Sequence, residues 1–235
     1  MGNSPSIVQT LRSRIEIEPK PAVYISGGLD STIILHHLRE KAPSEPIHTF
    51  TMGWTEKNEF CHAAHVAEHY GTIHHELNMD GWLTRFTEFN RGLPLPHYNL
   101  QPFFLAEAAK KQNCQTGYCG EGLDEAYGGY WYKPPMGLEE AWADHYVWIK
   151  PTWKAAHNRF DMGLEMPFSG LSVKDTSDFY DSKGNKQYLR EAYQGILPDF
   201  VIERKKNPSS PPYSLYGGRN NLQSYTVMAW LVANT

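Results

Sequence analysis

Apolar and polar positions follow two rhythms along the first 130 residues. The short apolar runs "PAVYIS", "PIHTFTMGW", "TIHHELNM" and "CQTGYCGEG" read as strands. Between them lie segments with helical spacing. "STIILHHLREK" follows the first strand. "NEFCHAAHVAEHYG" places Phe60, Ala63, Ala64, Val66, Ala67 and Tyr70 on one face and stops at Gly71, a residue suited to the position after a helix end. "GWLTRFTEFNRGL" and "PFFLAEAAKKQN" predict two more helices, separated by the proline-rich loop "LPLPHYNLQP". Strands alternating with helices predict an α/β fold, a doubly wound parallel sheet whose ligands sit beyond the carboxyl ends of the strands. Past about Tyr130 the pattern changes to aromatic-rich helical segments such as "EEAWADHYVWIKPTWKAAHNRF", and residues 172–187 are polar and include a loop. The expected organisation is one domain over residues 1–235, with an α/β core over about 1–130 and a helical C-terminal portion over about 131–235.

Two turns carry more than connection requires. In "AVYISGGLDSTIILHHLREK" the segment from Ser26 to Ser31 holds two glycines, two serines and an aspartate, with Leu29 its only apolar residue. A helix cap accounts for Asp30 or Ser31 and for one glycine. The rest fits an anion cradle: a helix N-terminus offers backbone N–H groups and the positive end of its dipole, and glycines allow close approach. The lysine of the common nucleotide P-loop is missing. A cradle of this kind suits a leaving pyrophosphate, with Asp30 available to hold magnesium. The second turn, "CGEGLDEAYGGY" over residues 119–130, holds Glu121, Asp124 and Glu125 among four glycines. An acidic helix start explains Asp124 and Glu125. It leaves Glu121, set between two glycines, for metal binding or proton transfer.

Composition narrows the classes. A net charge of −4 without a basic run gives no footprint for nucleic acid, and no apolar stretch reaches the ~20 residues of a membrane span. There is no secretory signal, and three cysteines (Cys61, Cys114, Cys119) suit a reducing cytoplasm. Their spacing with His62 and His65 fits no zinc pattern.

The segments "SGGLDS" and "GEGLDEAYGGY" resemble the two signatures of the asparagine synthetase branch of the N-type ATP pyrophosphatases. "HTFTMGW", "VAEHYGTIHHEL" and "KQYLREAYQGILPDFVIERKK" resemble the same branch in the same order, so the resemblance covers about residues 5–210. It implies an adenine nucleotide alpha hydrolase-like, Rossmann-like fold and an ATP-dependent ligase of the asparagine-biosynthesis kind. In such a ligase a carboxylate, aspartate or similar, attacks the α-phosphorus to give an acyl-adenylate and pyrophosphate. A nitrogen nucleophile then displaces AMP. By matching motif positions, Ser26, Gly27, Gly28 and Ser31 cradle pyrophosphate, and Asp30 and Asp124 hold Mg2+. Tyr24, Met52 and Gly120 line the ATP, Glu121 is the base for the amine, and Glu125 lies on the substrate side. Lys206 faces the adenylate, with Lys205 as the runner-up.

The chain also departs from that branch. Gly2 stands where the synthetases carry a glutaminase cysteine, so nitrogen is expected from free ammonia, a separate glutaminase subunit or an amine on another substrate. In "GLEMPFSG", Glu165 and Gly170 replace an arginine and an aspartate of the usual run, which leaves the carboxylate substrate open. A lactam or peptide cyclase of the same branch, an RNA-modifying or sulfur-inserting adenylating enzyme, and a non-catalytic nucleotide-binding relative are the alternatives. The acidic charge and the second turn argue against the RNA enzyme. The retained acids and Lys206 argue against a purely binding role.

Overall fold

The computed structural model describes residues 6–91, 100–129, 139, 142–143, 145–171, 180–181 and 185–205. Five strands form one parallel sheet: β1 (Pro21–Tyr24), β2 (His48–Gly53), β3 (Ile73–Asn78), β4 (Thr116–Tyr118) and β5 (Gly163–Glu165), in the order β3-β2-β1-β4-β5. β1 is central, with Val23 in register with Thr49 on one side and Tyr118 on the other. All four of its residues are buried, which is why it reads as a continuous apolar run rather than an alternating one. Chain order reverses between β1 and β4, so the crevice of a doubly wound sheet opens beyond the ends of these two strands.

Alternate side chains of β1 feed two cores. Val23 and Ile25 pack with α2 (Leu29–Lys41), α3 (Phe60–His69) and the buried Leu11 of α1 (Ile7–Ser13). Ala22 and Tyr24 face the other way, against Leu105 and Ala109 of α5 (Gln101–Lys111) and Trp153 of α7 (Lys150–Arg159). A short α4 (Phe86–Asn90), entered through a 3-10 turn at Trp82–Arg85, adds an aromatic cluster of Trp82, Phe86, Phe89 and Phe103 beside α5. The helices expected in "STIILHHLREK", "NEFCHAAHVAEHYG" and "PFFLAEAAKKQN" form as α2, α3 and α5, and α3 ends just before Gly71, which takes a φ of +59°. β5 lies past residue 131, so the portion read as helical contributes an edge strand to the sheet. A π-helical turn at His145–Ile149 leads into α7, and the chain returns over the α2 face through α8 (Gln187–Ala192) and α9 (Asp199–Ile202). Among the described residues no helix is long and apolar enough to cross a membrane. The three cysteines are free thiols.

Candidate active site

The loop after β1 enters α2 without a side-chain cap. Gly28 is the N-cap residue at φ −88°, and Asp30 and Ser31 lie inside the first turn rather than capping it. The start of α2 therefore keeps the unfilled, dipole-positive end that an anion needs. Gly27 is fixed by geometry. Its φ is +70°, and a Cβ there would stand 2.6 Å from the backbone carbonyl carbon of His62 on α3. The turn after β4 meets this loop directly: a Cβ on Gly120 would come within 3.0 Å of Asp30 Cβ and of the Ser31 amide nitrogen. An added methyl group would push the two turns apart by a few tenths of an ångström.

A cavity of about 210 Å³ opens between them. Tyr24, Ser26, Gly28, Asp30, Ser31, Met52, Gly120, Glu121 and Asp124 line it, so nine of the positions expected from the sequence meet in one place. Gly27 faces α3 instead. Glu125 is fully buried behind the cavity wall: one oxygen accepts the Gly122 amide at 3.0 Å and the other lies 3.7 Å from His145 Nδ1. Glu125 thus braces the turn that presents Glu121. Lys206 lies outside the described residues. Lys205 is described, and it reaches the cavity rim.

The residue that sequence reading left in a polar loop is Lys186. It sits at the N-cap of α8 with φ +53° and is only 4 % exposed. Its ammonium lies 2.5 Å from both carboxylate oxygens of Asp30 and 2.6 Å from Asp124 Oδ1. One cation therefore stands between two carboxylates from different turns. The available signal was that Lys186 opens the stretch "KQYLREAYQGILPDFVIERKK". More positive charge surrounds the cradle. Arg204 donates to the Ser26 carbonyl at 3.0 Å and pairs with Glu59, and Arg190 also lines the cavity.

Two hard oxygen donors converging on one cation-sized position are a set that suits Mg2+. Lys186 Nζ marks that position, so Asp30 and Asp124 fit the ion expected there.

The opposite wall is apolar and aromatic, from Tyr24, Phe50, Met52, Leu105 and Trp153. Tyr24 is held by His157, whose Nε2 is 2.8 Å from the phenol oxygen while Nδ1 lies 2.9 Å from the Trp153 carbonyl. Burial pushes the His157 pKa down to about 4, so the ring is neutral at pH 7. A neutral ring bonded through Nδ1–H to a carbonyl leaves Nε2 to accept from the Tyr24 hydroxyl. Burial and the neighbouring Glu121 also raise the Cys119 thiol well above its ordinary pKa, so it stands in the wall protonated and is no nucleophile.

Comparison with known proteins bears on the family and the fold. An asparagine synthetase (glutamine-hydrolyzing) from Asparagus officinalis is 29% identical over 89% of this chain and 40% of its own length. Asparagine synthetase B from Escherichia coli is 25% identical over 87% of this chain and 43% of its own. The chain thus spans about two-fifths of the curated relatives it matches. The structure of the U34-tRNA thiolase NcsA from Methanococcus maripaludis shares the fold, with a TM-score of 0.52 at 12% identity over 96% of this chain and 78% of that one. The asparagine synthase family matches residues 5–167. That span takes in all five strands and both turns, and the chain belongs to the asparagine synthase family.

Proposed function

We propose that the chain is an ATP-dependent amide-forming ligase that activates a carboxylate, aspartate or a close analogue, as an acyl-adenylate. The observation that carries this reading is the convergence of Asp30, Asp124 and Lys186 beside an uncapped helix N-terminus. Family membership and the named synthetases support the same class. The adenine ring fits against the wall of Tyr24, Phe50, Met52 and Trp153, and the phosphates fit over Ser26–Ser31. Asp30 and Asp124 would hold Mg2+, which would supply neutralising charge to the pyrophosphate.

The protein's own groups do the rest. Backbone amides at the start of α2, with the Ser26 and Ser31 hydroxyls, bind the β- and γ-phosphates. Lys186, together with Arg190 and Arg204 in the cavity wall, supplies positive charge to the phosphate oxygens. A substrate carboxylate oxygen bonds to the α-phosphorus as the bond to the bridging oxygen breaks. A nitrogen nucleophile then bonds to the acyl carbon, AMP leaves, and Glu121 takes the proton. Such a base contributes roughly 10²–10⁴-fold in rate. The nitrogen comes from ammonia, from a separate glutaminase or from an amine in another substrate. In the last case the chain works as a cyclase or coupling enzyme of the same branch.

Incubation with ATP, Mg2+, ammonium and a panel of amino acids is expected to yield AMP and pyrophosphate with one acid preferred. ADP and orthophosphate as primary products overturn the reading. Pyrophosphate release that ammonium does not couple to an amide moves it to the amine-coupling branch.

A further inference from the structure

The C-terminal half of α2 carries a second cluster, at the opposite end of the helix from the cradle. Glu40 Oε2 lies 2.8 Å from His37 Nδ1 and 3.6 Å from His36 Nε2, and one ligand atom from each of the three residues lies within 4.8 Å of the other two. We propose that His36, His37 and Glu40 form a binding site for a divalent first-row transition ion of the zinc class.

Three features separate this cluster from an ordinary helix ion pair. The first is spacing. Donors held about 2.0–2.1 Å from a tetrahedral ion stand roughly 3.3 Å apart, and the two observed separations of 2.8 and 3.6 Å bracket that value. The second is the surrounding shell. The far nitrogen of each ring is held by a tyrosine from another element: His37 Nε2 is 2.9 Å from Tyr193 Oη, and His36 Nδ1 is 3.3 Å from Tyr70 Oη. Partners of this kind set the orientation of ligating imidazoles, and here they turn the remaining nitrogens toward Glu40. The third is access. His37 is buried, but the Glu40 side chain is 42% exposed, and the Arg12 guanidinium that faces the same Oε2 at 3.5 Å is a surface side chain free to swing aside, so an ion enters from solvent and keeps water in its fourth position.

Two imidazoles and one carboxylate select a zinc-class ion over magnesium. Burial lowers the pKa of both rings, with Arg12 acting in the same direction and Glu40 opposing it. Lys41 and His69 are the other charged or titratable neighbours. Binding at His37 Nδ1 moves the single proton of the neutral ring to Nε2, which donates it to the Tyr193 hydroxyl oxygen, so no net proton is released. None of the three residues lines the cavity between the glycine turns, so the site stands whether or not the ligase reading does.

The test is a titration of the chelator-stripped full chain with Co2+, followed by visible absorption. One equivalent is expected to give the bands of a four-coordinate ion, which Zn2+ then bleaches. Zn2+ at a hundredfold excess over Kd is expected to raise Tm by about 5–10 °C. Glu40→Gln keeps both rings and their tyrosines, and it is expected to weaken binding at least tenfold. His36→Gln should do the same, and Tyr193→Phe should cost about tenfold. His75→Gln controls for the half-buried His48–His75 pair, whose nitrogens are 3.0 Å apart, and it should change nothing. Absence of stoichiometric uptake overturns the proposal. So does uptake insensitive to Glu40→Gln and His36→Gln, or uptake abolished by His75→Gln.

Discussion

At the scale of the residue, Lys186 is the group whose removal is most informative. Its ammonium is shared by Asp30 and Asp124 in a nearly buried position. Deleting one partner of such a set leaves like charges facing each other without compensation, a loss of about 3–5 kcal/mol. Lys186→Met is therefore expected to lower Tm in the presence of chelator. Because the same two carboxylates are the expected magnesium ligands, the variant should also gain a larger Tm increase from Mg2+ than the unmodified chain does. Turnover should fall by about 10²–10³-fold. A magnesium-dependent shift equal in both proteins would show that lysine and metal do not share the site. Glu125 makes a different point at this scale. Its sequence position marks it as one of three neighbouring acids, yet it turns away from the cavity and holds the Gly122 amide beside a buried His145. Acidity is visible in a sequence, whereas the direction in which an acid points depends on residues far along the chain.

At the scale of the element, the two glycines of the first turn have separable duties. Gly27 lets α3 press against the loop. Alanine there meets the His62 backbone while forced into a left-handed conformation. A cost of ~2–3 kcal/mol, or about 5–10 °C in Tm, is expected for Gly27→Ala. Gly28 has an ordinary φ, and an added Cβ would meet only the Ser26 hydroxyl at 3.2 Å and Arg204 Nη1 at 3.6 Å. Gly28→Ala should keep Tm within about 2 °C while weakening ATP binding, because its methyl covers the approach to the helix amides. Calorimetry and ATP titration of both variants check the contrast, and equal destabilisation would remove it. Most of the elements that were legible share one property: their pattern extends over enough residues to repeat. β1, β2, α2, α3 and α5 do so. β5, Gly163 to Glu165, is as short as β4, but β4 was legible from the glycine turn that follows it, whereas β5 runs into "MPFSG" without such a marker.

At the scale of the molecule, the sheet joins distant segments, and its pH response follows from one such junction. His157 on α7 holds Tyr24 of β1. Its pKa is lowered in the fold to about 4, against an ordinary value near 6.5. A neutral form favoured by folding contributes stability that is present above about pH 6.5. That stability is lost as pH falls through 4, a contribution of about 3 kcal/mol. Urea midpoints are expected to drop more steeply over this interval for the unmodified chain than for His157→Gln. Parallel curves would assign the acid sensitivity to other groups. The same long-range joining explains the remaining gap between sequence and site. The two glycine turns are short, local and chemically unusual, so both could be read along the chain. Lys186 acquires its role only by meeting Asp30, 156 positions earlier. Its place at the head of "KQYLREAYQGILPDFVIERKK" marks the residue but not the partner.

That contact also gives the site a history during synthesis. A ribosome adding about 5–20 residues per second needs roughly 8–30 s to make the 156 residues that separate Asp30 from Lys186. From the synthesis of Asp124 onward, the cradle and both carboxylates exist in the growing chain without the cation that later joins them. Arg204, which clasps the Ser26 carbonyl, arrives later still. The pocket is therefore completed only after α8 and Arg204 have been made, and chains interrupted before α8 carry the recognisable motifs without the charge balance that the proposed ATP chemistry requires.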